Sequence, residues 1–248
     1  MLLRLLSSKA ISELNTEHLQ SYVLWLVTNK SYSEARVHTT INAIKFYFEK
    51  VKNRPHITFD LPRPKKPEQL PKVHDSSCIV KMIKCTENIK HRTMLMMAYS
   101  SGLRLNEIIC LRISDIDSAR MVISVRRGKG KKDRQALLSV KMLEQLRAYY
   151  RIYKPTEYLF EGVTGGQYGY RSLQEVFKQA KERAGINFKG GIHTLRHSFA
   201  THLHENGTDI RLIQELLGHS NIETTMRYTH VSRRQLQNII SPLDNLDL

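Results

Sequence analysis

Cysteine is scarce in this chain of 248 residues: there are three, Cys78, Cys85 and Cys110, and no C-x-x-C pair. So small and odd a set excludes a disulfide framework and predicts reduced thiols, buried as small apolar side chains, in a cytosolic compartment. Long hydrophobic runs are missing as well. The most apolar stretch, Met94 to Tyr99, falls far short of the ~20 residues that a membrane span needs. The first nine residues, Met-Leu-Leu-Arg-Leu-Leu-Ser-Ser-Lys, are too short and too interrupted for a secretory signal. No Walker A sequence, no G-x-G-x-x-G and no acidic cluster suited to magnesium is present, which argues against a nucleotide-dependent or magnesium-dependent enzyme. Acidic residues are the last shortage. Asp and Glu number 23 against 39 Lys and Arg, a net charge of +16. That surplus favours a polyanionic partner, most often nucleic acid. An anionic membrane surface fits less well, because no basic amphipathic helix leaves a strong apolar face unexplained. Residues 1–73 hold 12 basic and 6 acidic residues and 74–248 hold 27 and 17, so both parts can touch the same polymer.

What is present is the balance of a globular protein, 41% hydrophobic and 25% charged, with enough chain for a core that needs no staples. Four of the seven prolines, Pro62, Pro64, Pro67 and Pro71, fall together. Such a segment cannot be helix, so 63–73 is expected to be an extended linker reaching roughly 30 Å at ~3.1 Å per residue. Its Lys65 and Lys66 are candidate phosphate contacts. Before it, residues 1–62 read as a small helical domain. Leu19, Val23, Leu26 and Val27 share one face of a first helix capped by Asn15 or Thr16. Ser31-x-x-Glu34 is the signature of a capping box opening a second, with apolar positions Val37, Ile41, Ile44, Phe48 and Val51.

After the linker, 74–248 reads as mostly helical with one strand pair. Thr93 to Ser101 suggests a buried helix stopped by Gly102; Met121–Val125 and Arg134–Leu138 suggest the strands. Helices follow at about Lys141–Tyr153 and Ser172–Ala184. Three more close the chain: Thr194–Glu205, Asp209–Leu217 stopped by Gly218, and one opened by Ser220-x-x-Glu223 that contains Tyr228. The expected class is mainly α with a small antiparallel β-sheet, in two domains.

Several residues could carry chemistry. His193 and Arg196 lie three apart at a helix start, so an imidazole and a guanidinium can address one phosphate; ordinary surface residues would look the same. His219 follows the glycine that ends its helix, where it could equally satisfy carbonyls. Tyr228 is one of eleven tyrosines, inert near pH 7 at its usual pKa of ~10 unless cations or a base assist. Arg104 opens a helix, a position unfavourable for a cation without an anionic partner. Between the strands, Arg126, Arg127, Lys129, Lys131 and Lys132 surround Gly128 and Gly130, with Arg134 just beyond, a turn able to approach and neutralise a phosphate chain or simply to be a solvated hairpin tip. His193 and His197, four apart, lack the glutamate of H-E-x-x-H and a third ligand, so no metal site is expected.

Taken in order, Gly102-Leu-Arg104 with Glu107, Gly128-Lys-Gly-x-Lys-x-Arg134, His193-x-x-Arg196-His-Ser-Phe-Ala-Thr-His, Leu216-Leu-Gly-His219-Ser and Tyr228-Thr-His resemble the tyrosine recombinase family, phage integrases and Xer-type site-specific recombinases. Each motif is weak alone; five in the right order are not. The resemblance spans about 74–240, and the linker and helical N-terminal part fit the family's core-binding domain, here short of its first helix. It implies a C-shaped clamp on double-stranded DNA at a specific recombination site, no cofactor, a homotetramer on paired sites and a monomer off DNA, in the bacterial cytoplasm. It also implies that Tyr228 attacks the scissile phosphate and forms a 3′-phosphotyrosine. Arg104 and Arg196 grip the non-bridging oxygens, and Lys129, or else Lys131 or Lys132, protonates the leaving 5′ oxygen. His193 transfers the tyrosine proton, His219 hydrogen-bonds a phosphate oxygen, and Glu107 supports the helix carrying Arg104. Leu236, Ile239, Ile240, Leu243 and Leu246 make a tail that docks into a neighbouring subunit. The same catalytic set occurs in type IB topoisomerases, which relax DNA as monomers without such a tail, and an inert DNA-binding relic of the fold is a further alternative.

Overall fold

The computed structural model describes residues 13–28, 32–54, 61, 71–126, 133–187 and 189–229. The chain divides into two compact units, Met1–Gln69 and Leu70–Leu248, separated within the proline-rich stretch.

In the N-terminal unit, α1 (Thr16–Thr28) starts where Asn15 Oδ1 accepts a hydrogen bond from the His18 amide at 3.0 Å. This satisfies one of the orphan amides of the first turn. The second helix, α2 (Glu34–Phe46), is capped by Ser33, whose side chain accepts from the Arg36 amide. Glu34 is therefore its first helical residue and Ser33 its cap; Ser31, where the box was anticipated, lies outside the described residues. A π-helical turn, Tyr47–Val51, continues α2. Leu14, Leu19, Tyr22, Val23, Leu26, Val37, Ile41, Ile44, Phe48 and Leu61 form the core of this unit. Val27 and Val51, expected inside, are exposed. For Val51 the cause is the π turn, which widens the repeat and carries the residue off the buried stripe.

The second unit is built around α4 (Ile89–Ser100). Thr93, Met94, Leu95, Met97 and Ala98 of this helix are buried, each large apolar side chain contributing ~1.5–3 kcal/mol. None of its residues is fully exposed, because α4 touches α3 (Ser76–Lys84), α5 (Leu105–Cys110), α6 (Val140–Tyr153), α7 (Tyr170–Arg183) and α8 (His193–Glu205). An antiparallel sheet of three strands lies between α5 and α6 in sequence: β1 (Ile116–Asp117), β2 (Val122–Val125) and β3 (Arg134–Leu137), in that order. Ile123 pairs with Ala136 and Val125 with Arg134. The strand β1 is an addition to the expected pair. Two short helices, α9 (Ile210–Leu217) and α10 (Glu223–Met226), complete the described chain, and α9 packs on both α8 and β3. The last helix ends before Tyr228, which lies in the following turn. Its start also differs from expectation: Asn221 Oδ1 accepts from the Glu223 amide at 2.9 Å, so Glu223 is the first helical residue and no Ser220–Glu223 box forms.

Candidate active site

Two glycines set the frame. Gly102, at φ +59°, ends α4 and starts the chain toward Arg104; a Cβ there would run into the Phe199 ring of α8. Gly218, at φ +62°, ends α9, and a Cβ there would strike the Arg134 side chain. Both positions combine a left-handed backbone with a close approach, which only glycine meets without strain. The N-terminal edge of the unit is fastened to the same helix: His74 donates its amide to Ser198 Oγ (2.8 Å), and its Nε2 lies 2.9 Å from Thr194 Oγ1.

Arg104 stands at the start of α5. Glu107, one turn on, accepts from the Arg104 amide with Oε2 and from its guanidinium with Oε1, both at 2.7 Å. The same Oε2 accepts from Arg134 Nη2 at 2.7 Å and lies 3.8 Å from Arg196 Nη1. One carboxylate thus faces three guanidiniums. Burial pushes the Glu107 pKa up, but Arg134 and the hydrogen bonds from Arg104 outweigh it and hold the carboxyl below its ordinary value. Three cations against one anion leave a local surplus of positive charge, the condition for binding a phosphate.

Arg196, in the first turn of α8, is 5% exposed. Its Nη1 donates to Gly102 O and its Nη2 to Leu217 O, which fixes the fork between the ends of α4 and α9. Burial and the neighbouring Arg104 lower its pKa to about 9, still protonated at neutral pH. Arg196 Nη2 also lies 3.2 Å from His219 Nε2. A guanidinium has no acceptor, so Nε2 accepts and the imidazole proton sits on Nδ1, donated to Thr225 Oγ1 at 2.9 Å. Burial, with Arg196 and Arg104, holds the His219 pKa near 4, so the ring is neutral. His193 is exposed at the start of α8, its pKa lowered by partial desolvation and by Arg196 and Arg104.

Tyr228 is 2% exposed and packs with Phe199, Ala200, Ile213 and Leu217. The His219 ring stacks beside it, centroids 6.5 Å apart. Its hydroxyl meets Nδ1 of His197 at 3.0 Å. Burial raises the phenol's pKa, against the pull of Arg196, Arg104 and Arg227.

Arg104, Arg196, His219 and Tyr228 are thereby joined through shared partners, and His193 shares α8 with Arg196. Lys129, Arg127, Lys131, Lys132, Lys65 and Lys66 lie outside the described residues, as does the apolar tail. Arg126 is exposed and paired with Asp115 at 2.7 Å. Arg134 carries the expectation of a DNA contact. Its side chain, 9% exposed, bonds to Glu107 and to Leu216 O at the end of α9, and so braces the site. His197 entered the sequence reading as half of a histidine pair set aside as a metal site and as a letter of the His193-x-x-Arg196-His motif, with no role of its own, and nothing in the sequence signalled its contact with Tyr228. Among the described residues no group of three His, Cys, Asp or Glu side chains is placed to hold a metal ion.

Comparison with known proteins follows the same lines. Residues 72–235 match the phage integrase family, and residues 1–58 match the phage integrase N-terminal SAM-like domain. An integrase/recombinase-type protein of Sinorhizobium fredii is 36% identical over 96% of this chain and 78% of its own. Tyrosine recombinase XerA of Pyrococcus horikoshii is 35% identical over 84% of this chain and 74% of its own. The solved structure of XerH site-specific recombinase bound to palindromic difH substrate shares the fold at a TM-score of 0.75 and 21% identity, over 94% of this chain and 73% of that one. With this span of matched sequence, and with Arg104, Arg134 and Arg196 of its motifs gathered around one buried carboxylate, the chain belongs to the phage integrase family of tyrosine recombinases.

Proposed function

We propose that this chain is a site-specific DNA recombinase that cleaves and rejoins strands through a 3′-phosphotyrosine on Tyr228. The carrying observation is the convergence of Arg104, Arg196 and His219, from three separate segments, on one point beside the Tyr228 ring. A phosphodiester at that point takes hydrogen bonds to its non-bridging oxygens from Arg104 and Arg196, whose cations stabilise the charge of the pentacoordinate transition state. Tyr228 Oη forms the bond to phosphorus, the bond to the 5′ oxygen breaks, and Lys129 of the basic turn supplies the leaving oxygen's proton, Lys131 and Lys132 being the alternatives. The phosphotyrosine keeps the bond energy, so a foreign 5′ hydroxyl reverses the step and gives strand exchange without ATP or metal.

His193 borders the site and takes part in acid–base transfer. His219 donates to the phosphate once Nε2 carries the proton, a change of tautomer from the state described here. Since Tyr228 is nearly sealed, cleavage requires the turn that carries it to swing the hydroxyl toward the guanidiniums. The basic surplus supplies DNA affinity that weakens steeply with salt. Four protomers on paired sites complete the reaction, inside the cell where the DNA is.

The test is covalent trapping on a nicked suicide duplex. The protein is expected to form an adduct that survives denaturation, and Tyr228→Phe to form none while still shifting the DNA in a gel. Equal trapping by Tyr228→Phe overturns the assignment of the nucleophile.

A further inference from the structure

We propose that Thr225 is the positioning residue that lets His219 change tautomer: its hydroxyl accepts from Nδ1–H before a phosphate is seated and donates to Nδ1 afterwards. The inference rests on the reading above, in which His219 hydrogen-bonds the scissile phosphate, and names the residue that makes the exchange possible.

Both nitrogens of the His219 ring have a partner. Arg196 Nη2 lies 3.2 Å from Nε2, and Thr225 Oγ1 lies 2.9 Å from Nδ1. A neutral imidazole carries one N–H and one lone pair, and burial with Arg196 and Arg104 keeps this ring neutral. The guanidinium can only donate, so it takes the lone pair of Nε2 and leaves Nδ1 to donate to Oγ1. Thr225 is 0% exposed, and among the described hydrogen bonds its Oγ1 has Nδ1 as its one partner. In this arrangement the threonine hydroxyl accepts, and its own proton finds no acceptor among those bonds. A buried donor left so is unfavourable. The resting pairing is therefore the poorer of two that the same atoms can make.

A phosphate seated on Arg104 and Arg196 reverses the pairing. Its non-bridging oxygens only accept, so the Nη2 hydrogen directed at Nε2 turns to the phosphate, and Nε2 itself faces an acceptor. With the ring proton on Nε2, His219 donates to the phosphate and Nδ1 becomes a lone pair. A threonine hydroxyl both donates and accepts, so Oγ1–H rotates and donates to Nδ1. The ring is half-buried, and the exchange passes through water: one proton leaves Nδ1 and one reaches Nε2, with no change of charge. Oγ1 and Nδ1 stay where they are, and each proton then has an acceptor. Thr225 also keeps its place while Tyr228 moves. It belongs to α10, which packs on α9, and its amide donates to Ile222 O at 2.7 Å, whereas Tyr228 lies in the turn beyond. The Tyr228 amide donates to Thr225 O at 3.0 Å, and opening that backbone bond leaves the Thr225 side chain on His219.

Two measurements on the full chain test this. The first reads the His219 tautomer from nitrogen-15 chemical shifts of its ring, in Tyr228→Phe free and bound to the nicked duplex. The proton is expected on Nδ1 in the free protein and on Nε2 in the complex; one tautomer in both overturns the proposal. The second measures the rate of adduct formation by the unaltered chain, Thr225→Val and Thr225→Ser, with gel shift and melting alongside. Valine keeps the shape without the hydroxyl. Thr225→Val is expected to lose ~10-fold in rate with DNA binding unchanged, and Thr225→Ser to stay within about threefold. A Thr225→Val rate within about threefold of the unaltered chain, or a Thr225→Ser rate as low as that of Thr225→Val, overturns the proposal, the second in favour of a packing role. Should Thr225→Val melt early, Thr225→Ala against Thr225→Ser isolates the hydroxyl by the same criteria, since both lack the methyl group. Adduct from Tyr228→Phe, or none from the unaltered chain, overturns the nucleophile assignment; the tautomer measurement, made on uncleaved DNA, then decides for or against Thr225 by itself.

Discussion

Arg196 and Tyr228 are both buried in the same unit, yet they are held in different ways. The guanidinium is bound by two backbone carbonyls, Gly102 O and Leu217 O, with the Glu107 carboxylate 3.8 Å away. The phenol has one polar partner among the described hydrogen bonds, His197, and otherwise apolar packing. A fork tied to fixed carbonyls is preorganised, and moving it would strand buried acceptors. A ring held by one hydrogen bond and dispersion contacts can be released for the cost of that bond and some packing. Under the proposed function this makes the phosphate's receptor rigid and leaves the proposed nucleophile able to move, as a reaction that seats DNA first and attacks second requires.

Pairing the two arginines of the receptor tests this contrast most severely. Arg196→Ala is expected to lose at least ~10²–10³-fold in adduct formation and, because it strands the buried carbonyls and leaves Glu107 with fewer cations, ~3–5 kcal/mol of stability by urea unfolding. Arg104→Ala should lose as much activity but under ~1 kcal/mol, since its side chain is 22% exposed. Equal stability losses in the two would erase the distinction between fixed and accessible cations.

Arg134 comes next. Removing it leaves Glu107 with one fewer close cation and Leu216 O without its donor. Arg134→Ala should therefore cost ~3 kcal/mol, while the slope of DNA affinity against salt stays that of the unaltered chain. A slope reduced by about one phosphate contact would return Arg134 to the DNA surface.

The smallest effect concerns pH. His219 and His197 are held near pKa 4 against 6.5 for a free imidazole, because burial and adjacent cations penalise the protonated ring. Folding therefore binds fewer protons than the open chain in that interval. Stability should be full above pH 6.5 and decline as pH falls toward about 4. His219→Asn should flatten this decline, measured as urea midpoints across the interval. An unchanged slope would mean that His219 is not held neutral by the guanidinium side.

Much of this was legible in the residues. Apolar spacing marked α1, α2 and α4, and the stops at Gly102 and Gly218 were visible because a glycine after a periodic run has a local physical cause. Five motifs in order identified the family and nominated Arg104, His193, Arg196, His219 and Tyr228. Errors fell where local pattern is insufficient. Val51 shares a helical stripe on paper, but a π turn rotates it outward. Ser31 and Ser220 matched a cap signature, but Ser33 makes the cap in one case and Asn221 binds the first amide in the other. Arg134 sat beside a basic turn and was grouped with it; its bonds to Glu107 and Leu216 O are a partnership that no local pattern shows.

The sequence by itself determined the inventory: the charge surplus, the kinds of donor and nucleophile, their order, and the helices that carry them. These follow from composition and from periodicities a few residues long. Only the tertiary structure decided partnership. Arg134 meets Leu216 across 82 positions of chain, and His197 meets Tyr228 across 31. Which guanidinium binds backbone carbonyls, which braces a carboxylate and which imidazole touches the phenol depend on how distant helices pack, and side-chain hydrogen bonds act over about 3 Å whatever the separation along the chain.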